Sequence, residues 1–144
     1  MRTGTIQPDS LAGRLEKRIA RKRGDVFLRA DFDDLGGYDQ VGRALRGLVR
    51  KGRLMKIGQG LYTRAVTSPF SDTPVPPKGL RTLTEALQRL GVEPLPSRLQ
   101  EAYNAGKTTQ VPTGRVVAVR GRVRRQIGYD GVYLKFERAE PSPR

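Results

Sequence analysis

Tyr38–Gly52, YDQVGRALRGLVRKG, runs directly into Arg53–Ala65, RLMKIGQGLYTRA, and these two segments decide how the rest of the chain is read. In the first, Val41, Leu45, Leu48 and Val49 fall at i, i+4, i+7 and i+8. That spacing places them on one face of a helix and leaves Gln40, Arg43, Arg46 and Arg50 facing elsewhere. Lys51 then puts a cation in the last turn, and Gly52 supplies a residue tolerant of positive φ just past it. In the second segment, RLMKI and LYTRA flank Gly58-Gln59-Gly60, two short runs joined by a turn, as a β-hairpin requires. The glycine pair starts like a nucleotide-binding motif, but the third glycine and the following helix are missing. It is a turn. A basic helix followed at once by a basic hairpin is how a winged helix-turn-helix addresses duplex DNA.

Charge supports that direction. The 144 residues carry 28 Lys and Arg against 14 Asp and Glu, a formal net charge of +14 with a pI near 11.0. Up to Val66 there are 15 basic and 7 acidic residues, and beyond it 13 and 7, so both halves are basic. Nucleic acid is the natural partner for such a chain, and an anionic membrane surface is the competing one. No run approaches the roughly 18 apolar residues of a membrane span, and no apolar signal core begins the sequence, so a cytoplasmic protein is expected. With no Cys and no His, disulfides, thiol catalysis, zinc–cysteine sites and the commonest general base are excluded. No enzyme activity, cofactor or metal is expected.

Outward from the centre, Met1–Pro8 reads as a loose arm. Asp9 or Ser10 can cap a first helix running to about Arg23, with Leu11, Leu15 and Ile19 on its buried face. Asp25–Leu28 is a short extended piece, the usual third strand beside a wing. Ala30–Leu35 reads as a short helix and Gly36-Gly37 as the turn into the recognition helix. Thr67–Lys78 holds four prolines and reads as an extended linker or an ordered surface loop. After it, Leu83, Leu87 and Leu90 mark one helix, and Leu95–Ala105 a second. Arg115–Arg120, Val123–Ile127 and Val132–Glu137 alternate like antiparallel strands, with turns at Gly121 and Tyr129-Asp130-Gly131. The expected class is therefore α+β: a winged helix-turn-helix at 1–66, a Pro-rich linker at 67–79, a small second α/β module of two helices and an antiparallel sheet at 80–138, and a tail at 139–144.

Direct readout needs short polar side chains near the start of the helix in the major groove, with cations beyond them for phosphates. Asp39, Gln40 and Arg43 are the base-contact candidates, and Asp39 has an alternative reading, the favoured one, as a helix cap. Arg46, Arg50, Lys51 and Arg53 fit the DNA backbone, as do Lys56, Gln59 and Arg64 on the hairpin. Arg14, Arg18, Arg21 and Lys22 of the first helix complete the phosphate candidates. Leu54, Ile57, Leu61 and Tyr62 would pin the hairpin to the core. Asp31, Asp33 and Asp34 resemble a metal cluster, yet caps and dipole partners explain them better. A second basic patch, Arg115, Arg120, Arg122, Arg124 and Arg125, is either charge protecting a sheet edge or a further anionic contact.

Gly24–Tyr62 resembles the N-terminal winged helix of AbiEi-type antitoxins of bacterial type IV toxin–antitoxin systems. The shared features are VF-x-x-x-DF, A-L-x-x-L-V-x-K-G-x-L and G-x-G-L-Y. Ala105–Pro112, AGKTTQVP, is similar to a segment of that group ending in TQVP, with Ala105 and Lys107 standing where the group has leucines. The likeness covers most of residues 10–137. It implies a phage-defence antitoxin that represses its own two-gene operon, binding its own promoter in duplex DNA and paired with a nucleotidyltransferase-like toxin; monomer and homodimer both stay open. The second domain would serve antitoxicity. The alternatives are an RNA-binding winged helix, for which the 9 Phe and Tyr supply few stacking platforms, and a small nuclease.

Overall fold

The computed structural model describes residues 10–139, so the N-terminal arm and nearly all of the tail lie outside it. Among these residues the chain is mixed α+β, with four α-helices, one 3-10 helix and four small sheets. Helix α1 spans Leu11–Arg21, β1 Val26–Leu28, the 3-10 helix Arg29–Leu35 and α2 Tyr38–Arg50; β2 (Leu54–Gly58) and β3 (Leu61–Arg64) form the hairpin. The sheet order is β1–β3–β2, antiparallel throughout.

Ser10 starts α1: its hydroxyl accepts from the Gly13 amide at 3.1 Å, satisfying one of the donors that a helix start leaves open. Gly52 stops α2 as its sequence position predicts. At φ +76° it donates to the Val49 carbonyl while Arg53 donates to Leu48, the two bonds of a Schellman motif. At the hairpin tip, Gly60 has φ +67°, and the register shifts between Lys56 and Gly58, which leaves Ile57 as the extra residue of a bulge.

Alternation along the strands explains how the core divides. Phe27, Leu54 and Tyr62 point to one side of the sheet, where Leu15, Ile19, Phe32, Val41, Leu45 and Leu48 cover them. Their neighbours Val26 and Leu61, with Ile57, point to the other side and join Leu83, Ala86, Leu87, Val117, Val119, Ile127 and Leu134. The sheet is thus buried on both faces, and one of its two cores draws on both sides of the segment 67–79. That segment is ordered: β4 (Val66–Thr67) pairs with β5 (Pro74–Val75), and Ser68 donates to the Thr73 carbonyl across the turn.

Helix α3 (Leu80–Arg89) lies against β1. Its Glu85 carboxylate accepts from the Asp25 and Val26 amides at 2.8 and 3.0 Å, capping the donors at the start of β1. Arg89 of the same helix pairs with Asp31. Helix α4 (Arg98–Asn104) begins three residues later than the expected Leu95, because Pro94 and Pro96 forbid helix there and Ser97 provides the cap, accepting from Gln100 at 3.1 Å. Leu95 instead exchanges two backbone bonds with Ala118.

The remaining strands correct the expected antiparallel sheet. β6 (Val116–Val119) pairs in parallel with β9 (Lys135–Arg138), and Val123–Ile127 is no strand. Parallel strands need a crossover. Here it holds a small hairpin, β7 (Gly128–Tyr129) and β8 (Val132–Tyr133), turning at Asp130 and Gly131, both with positive φ. The backbones of this hairpin meet at Gly128. A Cβ there would lie 2.2 Å from the Val132 carbonyl oxygen and 2.7 Å from the Tyr133 Cα. Gly128→Ala is therefore expected to destabilise by about 1–3 kcal/mol in urea unfolding, as overpacking does. Gly121→Ala, which meets nothing within 4 Å, should stay within about 0.5 kcal/mol.

Candidate nucleic-acid interface

The exposed face of α2 is built by the same spacing that buries its other side. Val41, Leu45 and Leu48 are inside, whereas Asp39, Arg43, Arg46 and Arg50 are exposed. At 100° per residue these four fall in one stripe opposite the core, reaching about 16 Å along the helix. Gln40 and Lys51 are exposed beside the stripe. The α2 cap is Gly37, whose amide donates weakly to Gln40 Oε1 at 3.4 Å, so the cap role open to Asp39 goes elsewhere. Asp39 sits in the first turn, where a carboxylate favours the positive end of the helix dipole.

Arg14 of α1 shares a shallow depression with Gln40 and Arg43. The other α1 cations divide. Arg21 is exposed. Arg18 forms a two-pronged pair with Asp34 at 2.5 and 2.8 Å and also donates to the Asp31 carbonyl. Those hydrogen bonds hold the Asp34 carboxyl below the ordinary carboxylate range and raise the Arg18 guanidinium in turn. Lys22 lies 3.9 Å from Asp31. Asp31 also accepts from the Leu28 amide at 3.0 Å. Two members of the acidic cluster are thus tied to specific partners on the protein itself.

Arg64 has a structural task. Its guanidinium donates to the Ile19 and Lys22 carbonyls at 2.6 and 2.7 Å, closing the end of α1, and lies over the Phe27 ring beside Asp25. Arg53 pairs with Glu16 of α1. On the hairpin, Lys56 and Gln59 are exposed, while Leu54, Ile57, Leu61 and Tyr62 are each at most 2% exposed and pin it in place.

Sequence gives no signal for Arg29. It stands at the start of the 3-10 helix with its guanidinium 4.0 Å above the ring of Tyr38, itself 69% exposed. A Cβ on the buried Gly42 would meet that guanidinium at 3.0 Å, so a glycine at this α2 position makes room for the Arg29–Tyr38 stack. The stack borders a depression of about 370 Å³ between the start of α2 and the hairpin tip.

The second basic patch is dispersed and does not form one strand face. Arg115 donates to the Tyr133 carbonyl at 2.8 Å, and Arg120 pairs with Glu93 at 2.8 Å. Arg122, Arg124 and Arg125 lie on the irregular stretch between β6 and β7. Arg125 reaches the hairpin and donates to the Gln59 carbonyl at 3.0 Å. The TQVP segment has no regular structure; Gln110, Val111 and Pro112 border a cleft of about 420 Å³ with Leu99 and Val116. No described helix is long and apolar enough to cross a membrane. Comparison with family models, with curated proteins and with solved structures finds no match.

Proposed function

We propose that this protein is a sequence-specific, non-enzymatic DNA-binding regulator that reads duplex DNA with α2 and steadies it with the β2–β3 hairpin, in the manner of a winged helix-turn-helix. The observation that carries this proposal is the Asp39–Arg43–Arg46–Arg50 stripe: a polar and cationic helix face opposite the core, followed directly by a hairpin with Lys56 exposed. Bases are read by side chains near the helix start and phosphates by cations further along. Gln40 and Arg43 hold the first position and Arg46, Arg50 and Lys51 the second. The order helix, strand, helix, helix, hairpin in residues 11–64 agrees with such a unit. The resemblance to AbiEi-type antitoxins narrows the proposal to a cytoplasmic antitoxin that represses its own operon beside a nucleotidyltransferase-like toxin.

The test is binding to the duplex upstream of its own gene against a scrambled duplex. If Arg43 reads a guanine, Arg43→Ala is expected to cost about 1–3 kcal/mol on the upstream duplex and much less on the scrambled one. Lys56→Ala should weaken both to a similar degree, because a phosphate contact carries no sequence information. Equal affinity of the wild type for the two duplexes would remove specific repression. Equal behaviour of the two variants would place base reading elsewhere than Arg43.

A further inference from the structure

We infer that the loop between β6 and β7, residues 120–127, is a second DNA-binding element that extends the hairpin and takes phosphates alongside it. This inference rests on the proposal that α2 and the hairpin bind duplex DNA.

Three observations carry it. The first is position. Arg125 donates to the Gln59 carbonyl at the hairpin tip, and the Gln126 carbonyl approaches Gly58 so closely that a Cβ there would lie 3.0 Å from it. The loop is therefore seated on the hairpin backbone. Val119 and Ile127, both at most 2% exposed, anchor its two ends in the core that also holds Ile57 and Leu61.

The second is charge. Residues 120–126 read RGRVRRQ, four arginines and no acid. Arg120 is occupied by Glu93, while Arg122, Arg124 and Arg125 are exposed and form no ion pair among the described residues. Protection of a sheet edge does not account for them, since they lie on no strand. A guanidinium has five N–H donors, so the one bond from Arg125 to Gln59 leaves donors for a phosphate.

The third is continuity. Arg29, Tyr38, Lys56, Gln59 and Arg125 border the same depression between the start of α2 and the hairpin, with the acidic Asp33 beside them. A phosphate backbone passing from the α2 side to the hairpin side would run along this depression and meet the loop next.

The experiment uses the full chain and measures affinity for the upstream duplex by fluorescence anisotropy across a salt series. Replacing Arg122, Arg124 and Arg125 together by Ala is expected to lower the slope of log K against log salt by about two to three, near one for each phosphate no longer neutralised. The double variant Arg122→Ala/Arg124→Ala keeps the Arg125–Gln59 bond, and with it the hairpin support, and should lower the slope by about two. Trimming the duplex from either end should weaken the wild type from one end more than it weakens the triple variant. An unchanged slope in the double variant would overturn the inference while leaving the DNA-binding proposal standing. Equal wild-type affinity for upstream and scrambled duplexes would instead overturn the proposal beneath it.

Discussion

A fragment ending at Pro69 is expected to lose cooperative folding, although it retains α1, α2 and the whole β1–β3–β2 sheet. The reason lies on the second face of that sheet. Val26, Ile57 and Leu61 are 3%, 1% and 0% exposed because Leu83, Ala86, Leu87, Val117 and Ile127 lie over them. Cutting the chain uncovers all three. At about 1.5–3 kcal/mol for each large apolar side chain returned to water, the loss is roughly 5–9 kcal/mol. That is comparable with the roughly 5–15 kcal/mol stabilising a typical domain. The Asp25 and Val26 amides lose the Glu85 carboxylate, and Asp31 loses Arg89. A thermal melt followed by circular dichroism should show a sharp transition for the full chain and a broad, non-cooperative one for the fragment. A fragment melting sharply, near the temperature of the full chain, would show that the first 69 residues form a self-sufficient core.

The elements that local rules govern were legible in the sequence. Helix α2 follows from the spacing of Val41, Leu45 and Leu48, its end from Gly52, and the hairpin from Gly58-Gln59-Gly60 between two short apolar runs. Ser10 as a cap and β1 as the third strand follow in the same way. Long-range pairing was not legible. β6 and β9 begin nineteen residues apart, and an alternating pattern suits a parallel or an antiparallel partner equally, so the parallel register had no local sign. The double burial of the central sheet had no local sign for a related reason: neighbouring strand residues face opposite sides, and only distant elements put a core against each, one over Val26 and the other over Phe27. Among the candidate site residues, the exposed stripe of α2 follows from periodicity. The capture of Arg64 by the end of α1 does not, because a cation beside a hairpin reads the same whether its partner is a phosphate or three residues of distant backbone. Arg125 is the converse. In sequence it belongs to the far half of the chain, and only the crossover between β6 and β9 brings it to the hairpin tip.

Binding to the upstream duplex is expected to fall by a factor of about 10³–10⁵ between 50 and 200 mM salt. The magnitude follows from which cations the fold leaves available. Arg18, Arg53 and Arg64 are held by Asp34, Glu16 and the α1 terminus, and Lys22 lies near Asp31. Arg14, Arg21, Arg43, Arg46, Arg50, Lys51 and Lys56 are exposed and form no ion pair among the described residues. With Arg43 on a base, the other six as phosphate contacts correspond to a slope of log K against log salt near −5, since each neutralised phosphate releases about 0.9 counterion. Engagement of Arg122, Arg124 and Arg125 would steepen it to about −8. Counterion release acts on any duplex, so a scrambled sequence should show a comparable slope at lower affinity, and the difference between the two duplexes should persist as salt rises. A slope shallower than about −3 on both duplexes would mean that most of these cations face solvent rather than DNA, and the α2 stripe would then be a solvated helix face with no partner in nucleic acid.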